Sequence, residues 1–190
     1  EKALAVRVYL DQVVPGNYDG ELVARLTTVD GRLVAEHHHV MSDYQGRDDF
    51  RMTGLTNIRL WDVDEPVLYR LEVSISGNSF NHQFSTRVGF RQARFTPDGF
   101  LLNGRRLKIR GINRHQSYPY MGYAMGAHAQ KADADFIKTT LKFNLVRTSH
   151  YPQSPAFLDR CDELGLLVFE EIPGWQHIGG EEWKQGAIAN

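Results

Sequence analysis

Three stretches of this chain carry the side chains that could act on a ligand. Phe143-Asn144-Leu145-Val146-Arg147-Thr148-Ser149-His150-Tyr151-Pro152 runs from apolar residues into an arginine and a histidine, and then into a proline turn. Leu107-Lys108-Ile109-Arg110-Gly111-Ile112 runs likewise into Asn113-Arg114-His115, and Leu166-Leu167-Val168-Phe169 ends at Glu170-Glu171. Each has the form of a strand that delivers polar groups at its C-terminal end. Imidazole and guanidinium groups in such a place can hydrogen-bond a polar ligand or hold a carboxylate ionised. Glu170 and Glu171 are neighbours, and neighbouring strand residues point in opposite directions. They are therefore not read as a pair flanking one reacting bond. One is expected in an interior and the other facing a helix or in a salt bridge, with Glu171 a minor candidate for ligand contact.

Two other features look chemical and read more simply as structural. His37-His38-His39 lies on a strand, where three consecutive residues alternate faces and cannot all converge on one metal ion. The run is internal, between Glu36 and Val40, and is read as a polar strand edge. Cys161 shares a helical stripe with Phe157, Leu158 and Leu164, which places it on a packed face as a small core residue rather than a nucleophile.

The elements that position these groups follow from hydrophobic period. Leu4, Val6, Val8 and Leu10 alternate with Arg7 and Asp11, a half-buried strand. Pro15-Gly16-Asn17-Tyr18-Asp19-Gly20 is a turn cluster, and a second strand covers residues 22–29. Asp30-Gly31 then suits a type I′ hairpin into Arg32-Leu33-Val34-Ala35. Strands are read at residues 58–63, 67–75 and 80–88, broken by Glu65-Pro66 and Ser76-Gly77-Asn78-Ser79. Short strands with turn signals and no helical period predict a small antiparallel sandwich, with Trp61 a core or interface aromatic. Beyond residue 90 come a hairpin about Thr96-Pro97-Asp98-Gly99, a tight turn at Asn103-Gly104 and the strand at 107–115. A helix is expected over 130–142. A second begins at Ser154-Pro155, a hydroxyl N-cap followed by proline, and stops at Gly165. The order is βαβαβ, hence a parallel sheet. A doubly wound sheet would carry a glycine-rich phosphate turn after its first strand, and none is present. Polar residues at three C-terminal strand ends match a (β/α)8 barrel.

Composition narrows the function. The 190 residues are 42% hydrophobic with a formal net charge of −1, so neither disorder nor a nucleic-acid partner is indicated. No apolar run is long enough to span a bilayer, and no signal peptide opens the chain. One cysteine cannot form an internal disulfide; a reducing, cytoplasmic compartment is expected. The chain opens at Glu1 and closes after a charged stretch, so both ends read as cuts in a longer protein.

Residues 144–152, followed by Asp162-Glu163-Leu164-Gly165-Leu166-Leu167-Val168-Phe169, resemble the first sequence signature of glycoside hydrolase family 2, which contains β-galactosidases and β-glucuronidases. Gly111-Ile112-Asn113-Arg114-His115 is similar to the end of that family's first barrel strand. Leu60-Trp61, Pro66, Leu68-Tyr69 and Val88-Gly89-Phe90-Arg91 resemble its immunoglobulin-like domain and the exit into the barrel. The likeness covers essentially the whole chain. It implies a mixed fold: an all-β immunoglobulin-like sandwich over residues 1–89, then the N-terminal βαβαβ portion of a TIM (β/α)8 barrel over 90–190.

The resemblance also implies chemistry. The parent would be a retaining β-glycosidase of galactosidase or glucuronidase type, with an acid/base and a nucleophilic glutamate on later strands, about 5–5.5 Å apart. The chain alone is then expected to be inactive. His115 and His150 match family histidines that hydrogen-bond the sugar, and Arg147 matches an arginine beside the nucleophile. Some members carry a magnesium-binding glutamate after the third strand; Trp175 stands in its place here, although His177 remains, so no metal or other cofactor is expected. Trp175 is either a stacking wall for a pyranose or a core aromatic. The expected partner is a β-glycoside, and the open barrel edge predicts self-association. Two other readings stand beside this one: a non-catalytic carbohydrate-binding or interaction module, and a metal-dependent barrel hydrolase using His115 and His150. The latter would usually need a His-x-His pair where the chain has Asn113-Arg114-His115.

Overall fold

The computed structural model describes residues 2–10, 20–41, 47–77 and 81–189. Most of the turn cluster expected at 15–20, and the end of that expected at 76–79, lie outside the described residues. The chain forms two compact units, one of residues 1–59 and 68–90 and one of residues 60–67 and 91–190. A single cut between 89 and 90 differs from this division by the segment Leu60–Val67 and by Phe90.

The first unit is antiparallel. β1 (Leu4–Tyr9) pairs with β4 (Arg47–Met52), and β2 (Gly20–Thr28), β3 (Leu33–Met41), β5 (Tyr69–Gly77) and β6 (Asn81–Val88) form a sheet in the order β3-β2-β5-β6. Leu22, Ala24 and Leu26 face Ile75, Val73 and Leu71 across the β2–β5 register, and all six are buried. That period of two places one face of the sheet on the core. β3 lies at an edge, and its histidines divide as alternation requires. His37 and His39 stack with Phe50 of β4, whereas His38 bonds Glu21 and Glu36.

The β2–β3 hairpin differs from its expected type. Gly31 has φ +90°, but Asp30 keeps negative φ, and the amides of Gly31 and Arg32 bond within a three-residue loop. This is a type I turn closed by a left-handed glycine, whereas a type I′ turn needs positive φ at both central residues. That geometry occurs instead at Asn103-Gly104, with φ +53° and +79°.

The second unit opens with a small sheet of β7 (Ala93–Thr96), β8 (Gly99–Leu102) and β9 (Arg105–Arg106). Then follow β10 (Gly111–Arg114), α1 (Ala127–Asp135), a π-helical turn (Phe136–Thr140), β11 (Leu145–Thr148), α2 (Pro155–Leu164), β12 (Leu167–Phe169) and α3 (Glu181–Ala189). β10, β11 and β12 are parallel and adjacent in that order, as the βαβαβ reading requires. Ala134, Ile137, Val146, Phe157, Cys161 and Leu166 form the core between sheet and helices. Burial pushes the Cys161 thiol up to about 12, consistent with a packing role. The Ser154 hydroxyl caps α2 by accepting from the Ala156 amide. The strand expected at 107–115 is confined to four residues, because parallel pairing begins where Gly111 meets Leu145. The first helix starts at Ala127 rather than 130.

Residues 58–63 form no strand. Instead the backbone of Leu60–Val67 is held by side chains of the second unit. Asn103 Nδ2 donates to the Trp61 carbonyl at 3.0 Å, and Lys138 Nζ donates to the carbonyls of Val63 at 2.6 Å and Gly165 at 2.8 Å. Trp61 itself is buried, and its indole N–H donates to the Asp162 carbonyl at 2.8 Å. A strand ladder would compete for these same groups. Gly165 ends α2 at φ +74°, and a Cβ there would stand 2.3 Å from the Val63 oxygen. Gly165→Ala is therefore expected to cost about 3 kcal/mol or more, combining left-handed strain with a backbone clash. Gly104→Ala, at φ +79° with open space around it, is expected to cost only about 1 kcal/mol. Urea denaturation of both variants checks this; equal losses would show that the Val63 approach is not tight.

Candidate functional site

Parallel register sets Asn113, Arg147 and Phe169 side by side, with Arg114 beside Thr148 one residue on. The two sets face opposite ways. Arg114 and Thr148 are buried toward the helices, while Asn113 and Arg147 lie on the open face.

On that open face Arg147 donates to Asn113 Oδ1 at 3.3 Å and forms an ion pair with Glu171. His150, joined to Ser149 by a cis peptide bond, places Nδ1 2.9 Å from the second Glu171 oxygen. Arg147 Nη2 also lies 3.3 Å from that Nδ1. Nδ1 cannot donate to a carboxylate and accept from a guanidinium at once; the shorter contact assigns its proton to Glu171. Nε2 takes no part in either contact. Burial raises the Glu171 carboxyl, but the bonds from His150 and Arg147 outweigh it and hold the group below the ordinary carboxylate value.

The aromatic surroundings are continuous. The His115 ring lies 5.3 Å from that of His150, and Trp175 lies 5.3 Å from His150 on another side. Tyr151 sits 6.2 Å from His115 and 5.7 Å from Tyr123. His115, Arg147, His150 and Trp175 are thus drawn together. Trp175 is 65% exposed. The adjacent glutamates part as expected, Glu170 accepting from the Gln153 amide at 3.2 Å.

The residues after β12 do not fit a magnesium site. Trp175 has no ligand atom, and His177 lies against Trp183 at 6.1 Å between rings. Among the described residues no group of three or more His, Cys, Asp or Glu side chains is arranged to hold a metal.

Sequence reading undervalued two residues. Glu171 is the shared partner of Arg147 and His150; its parity, two residues beyond Phe169, was the available signal. Thr148 sets its height, accepting from the Glu171 amide at 3.0 Å. Arg114, grouped in the sequence with the polar strand end, points away from the open face. It donates to Asp133 at 2.8 Å and Gln130 at 2.7 Å on α1 and to Gln153 before α2, and lies 4.0 Å over the Phe157 ring.

Arg114→Met should cost roughly 2–4 kcal/mol in urea denaturation, since it strands Gln130 and Gln153 and leaves Asp133 only solvent as partner. A loss under 1 kcal/mol, within the range of an exposed pair, would contradict the burial argument. For Glu171 the sign follows from its lowered value. Its contribution is present above the ordinary 4.5 and is lost as pH falls through the folded value. Glu171→Gln is therefore expected to flatten the loss of stability on acidification below pH 4.5, read as urea midpoints across a pH series.

Comparison with known proteins gives two adjoining matches. Residues 1–91 match the model of glycosyl hydrolases family 2, and residues 94–186 match that of the glycosyl hydrolases family 2 TIM barrel domain. A β-galactosidase of Thermoanaerobacterium thermosulfurigenes is 47% identical over the whole of this chain, which spans 27% of that relative. A putative β-glucuronidase of Formosa agariphila is 40% identical over 68% of the chain and 16% of its own length. The crystal structure of Parabacteroides merdae β-glucuronidase superposes with a TM-score of 0.83 at 30% identity, covering 97% of this chain and 23% of that one. The chain thus spans about a quarter of the proteins it matches over nearly its full length. With both halves matched, in order and nearly end to end, the chain belongs to glycosyl hydrolase family 2.

Proposed function

We propose that this chain supplies the sugar-binding strand ends of a longer retaining β-glycosidase that hydrolyses O-linked β-glycosides, of galactosidase or glucuronidase type. The observation that carries this is the Arg147–Glu171–His150 cluster at the open ends of β11 and β12, with His115 and Trp175 beside it. The names of the relatives support it. His150, fixed by Glu171, offers Nε2 to a sugar hydroxyl, and His115 offers a second imidazole next to it. Such contacts strengthen as the ring flattens toward an oxocarbenium ion. Trp175 presents an aromatic face to the C–H side of the pyranose.

Glu171 does not serve as the proton donor in this scheme. It is held ionised and engaged at both oxygens, whereas an acid catalyst needs a raised value. Glu170 is turned to the Gln153 amide. The acid/base and the nucleophile therefore come from residues outside this chain, and Arg147 orients the nucleophile as well as Glu171.

The test is hydrolysis of aryl β-galactoside, glucuronide, mannoside and glucoside by the complete protein and by the 190-residue chain. The complete protein is expected to cleave one of them and the chain none. His150→Ala in the complete protein is expected to lower kcat/KM about 10- to 100-fold, the worth of a hydrogen bond to a charge-developing group. Turnover by the chain alone would overturn the placement of the catalytic glutamates.

A further inference from the structure

Sugar binding at the strand ends leaves the loop after β10 unexplained. Residues 116–127, Gln-Ser-Tyr-Pro-Tyr-Met-Gly-Tyr-Ala-Met-Gly-Ala, contain no charged side chain. The loop is nevertheless exposed: Tyr118 is 46% accessible, Met121 48%, Tyr123 67%, and Tyr120 is entirely so. Its backbone is closed upon itself. The Tyr118 and Gly122 amides each bond the other's carbonyl, at 3.0 and 2.9 Å, and the Met121 amide bonds the Tyr118 carbonyl at 3.2 Å. Within that closed turn Tyr120 is held at φ +68°, a left-handed conformation that a bulky residue adopts at a cost.

The loop also abuts the site. The Gln116 amide donates to the Tyr151 hydroxyl at 3.1 Å, fixing the start of the loop against the end of β11. Tyr123 meets Tyr151 edge to face at 5.7 Å, Tyr151 leans on His115, and His115 meets His150. A line of rings therefore runs outward from the Arg147–Glu171–His150 cluster to the loop. The cluster is polar and suits the hydroxyls of the sugar; the loop is uncharged and aromatic, and suits a flat apolar face.

Resting on the glycosidase reading above, we propose that Tyr123 and Tyr120 form a platform for the leaving-group side of the substrate, selecting aglycones with a flat apolar face. An aryl ring and the C–H face of a second pyranose share that chemistry.

The test compares kcat/KM in the complete protein for three β-glycosides of the one sugar that it cleaves: the p-nitrophenyl glycoside, a disaccharide and the methyl glycoside. Tyr123→Ala and Tyr120→Ala are expected to lower kcat/KM roughly 5- to 10-fold for the aryl substrate, the disaccharide, or both, and to leave the methyl glycoside within about twofold. A loss confined to one of the two identifies the source as aryl or pyranose. Tyr123→Phe is expected to behave as wild type, which also controls for folding. An equal loss on all three substrates, no loss on any, or a Tyr123→Phe defect as large as that of Tyr123→Ala overturns the platform. A wild-type protein inert to every glycoside overturns the glycosidase reading and this proposal with it. Failure of the platform alone leaves wild-type hydrolysis intact.

Discussion

The second unit depends on one buried cation. Arg114 ends β10 beneath the open face, and its guanidinium bonds Asp133 and Gln130 of α1 and Gln153 at the entry to α2 while lying on Phe157. A guanidinium is suited to this because its planar fork satisfies several acceptors at fixed angles and stacks on a ring at the same time. The alternation of a strand then does the rest. If Arg114 faces the helices, Asn113 must face the other way, and parallel register carries that choice to Arg147 on β11 and on to β12. The polarity of the site face is in this sense set from behind.

A second layer of constraint keeps the polar cluster in place without occupying it. Thr148, fully buried, receives the Glu171 amide; Tyr151 receives the Gln116 amide; Gln116 in turn receives the Ser154 amide at 2.6 Å. These bonds tie the three strand-end loops to each other through backbone groups. Arg147, His150 and Glu171 stay oriented because the segments bearing them are fixed independently of the bonds the three make among themselves.

Much of this was legible in the sequence where the signal is local. The Ser154-Pro155 start of α2, its Gly165 stop, the stripe that buries Cys161 and the βαβαβ order all follow from spacing, and the structure contains them. What was not legible required knowledge of distant partners. Residues 58–63 alternate like a strand, but their backbone groups are claimed by Asn103 and Lys138, far along the chain. Asp30-Gly31 reads as a two-residue turn, but the loop length is decided by where β2 and β3 fall into register, and a bulge after Leu26 shifts it. At the site, residue types marked the strand ends correctly as a group. They could not say that Arg114 and Glu171 exchange the roles that proximity in sequence suggested, one leaving the open face and the other joining it.

The path of residues 60–67 has a consequence for how such a protein can be recombined. This segment precedes β5 and β6 in the chain, yet it carries Trp61 into the second unit. The two units are therefore interleaved rather than strung in sequence. Exchanging the β-rich half for another at a junction near residue 90 would also exchange a segment that the second unit packs around, and any grafted partner would have to bring a tryptophan-bearing segment of matching length.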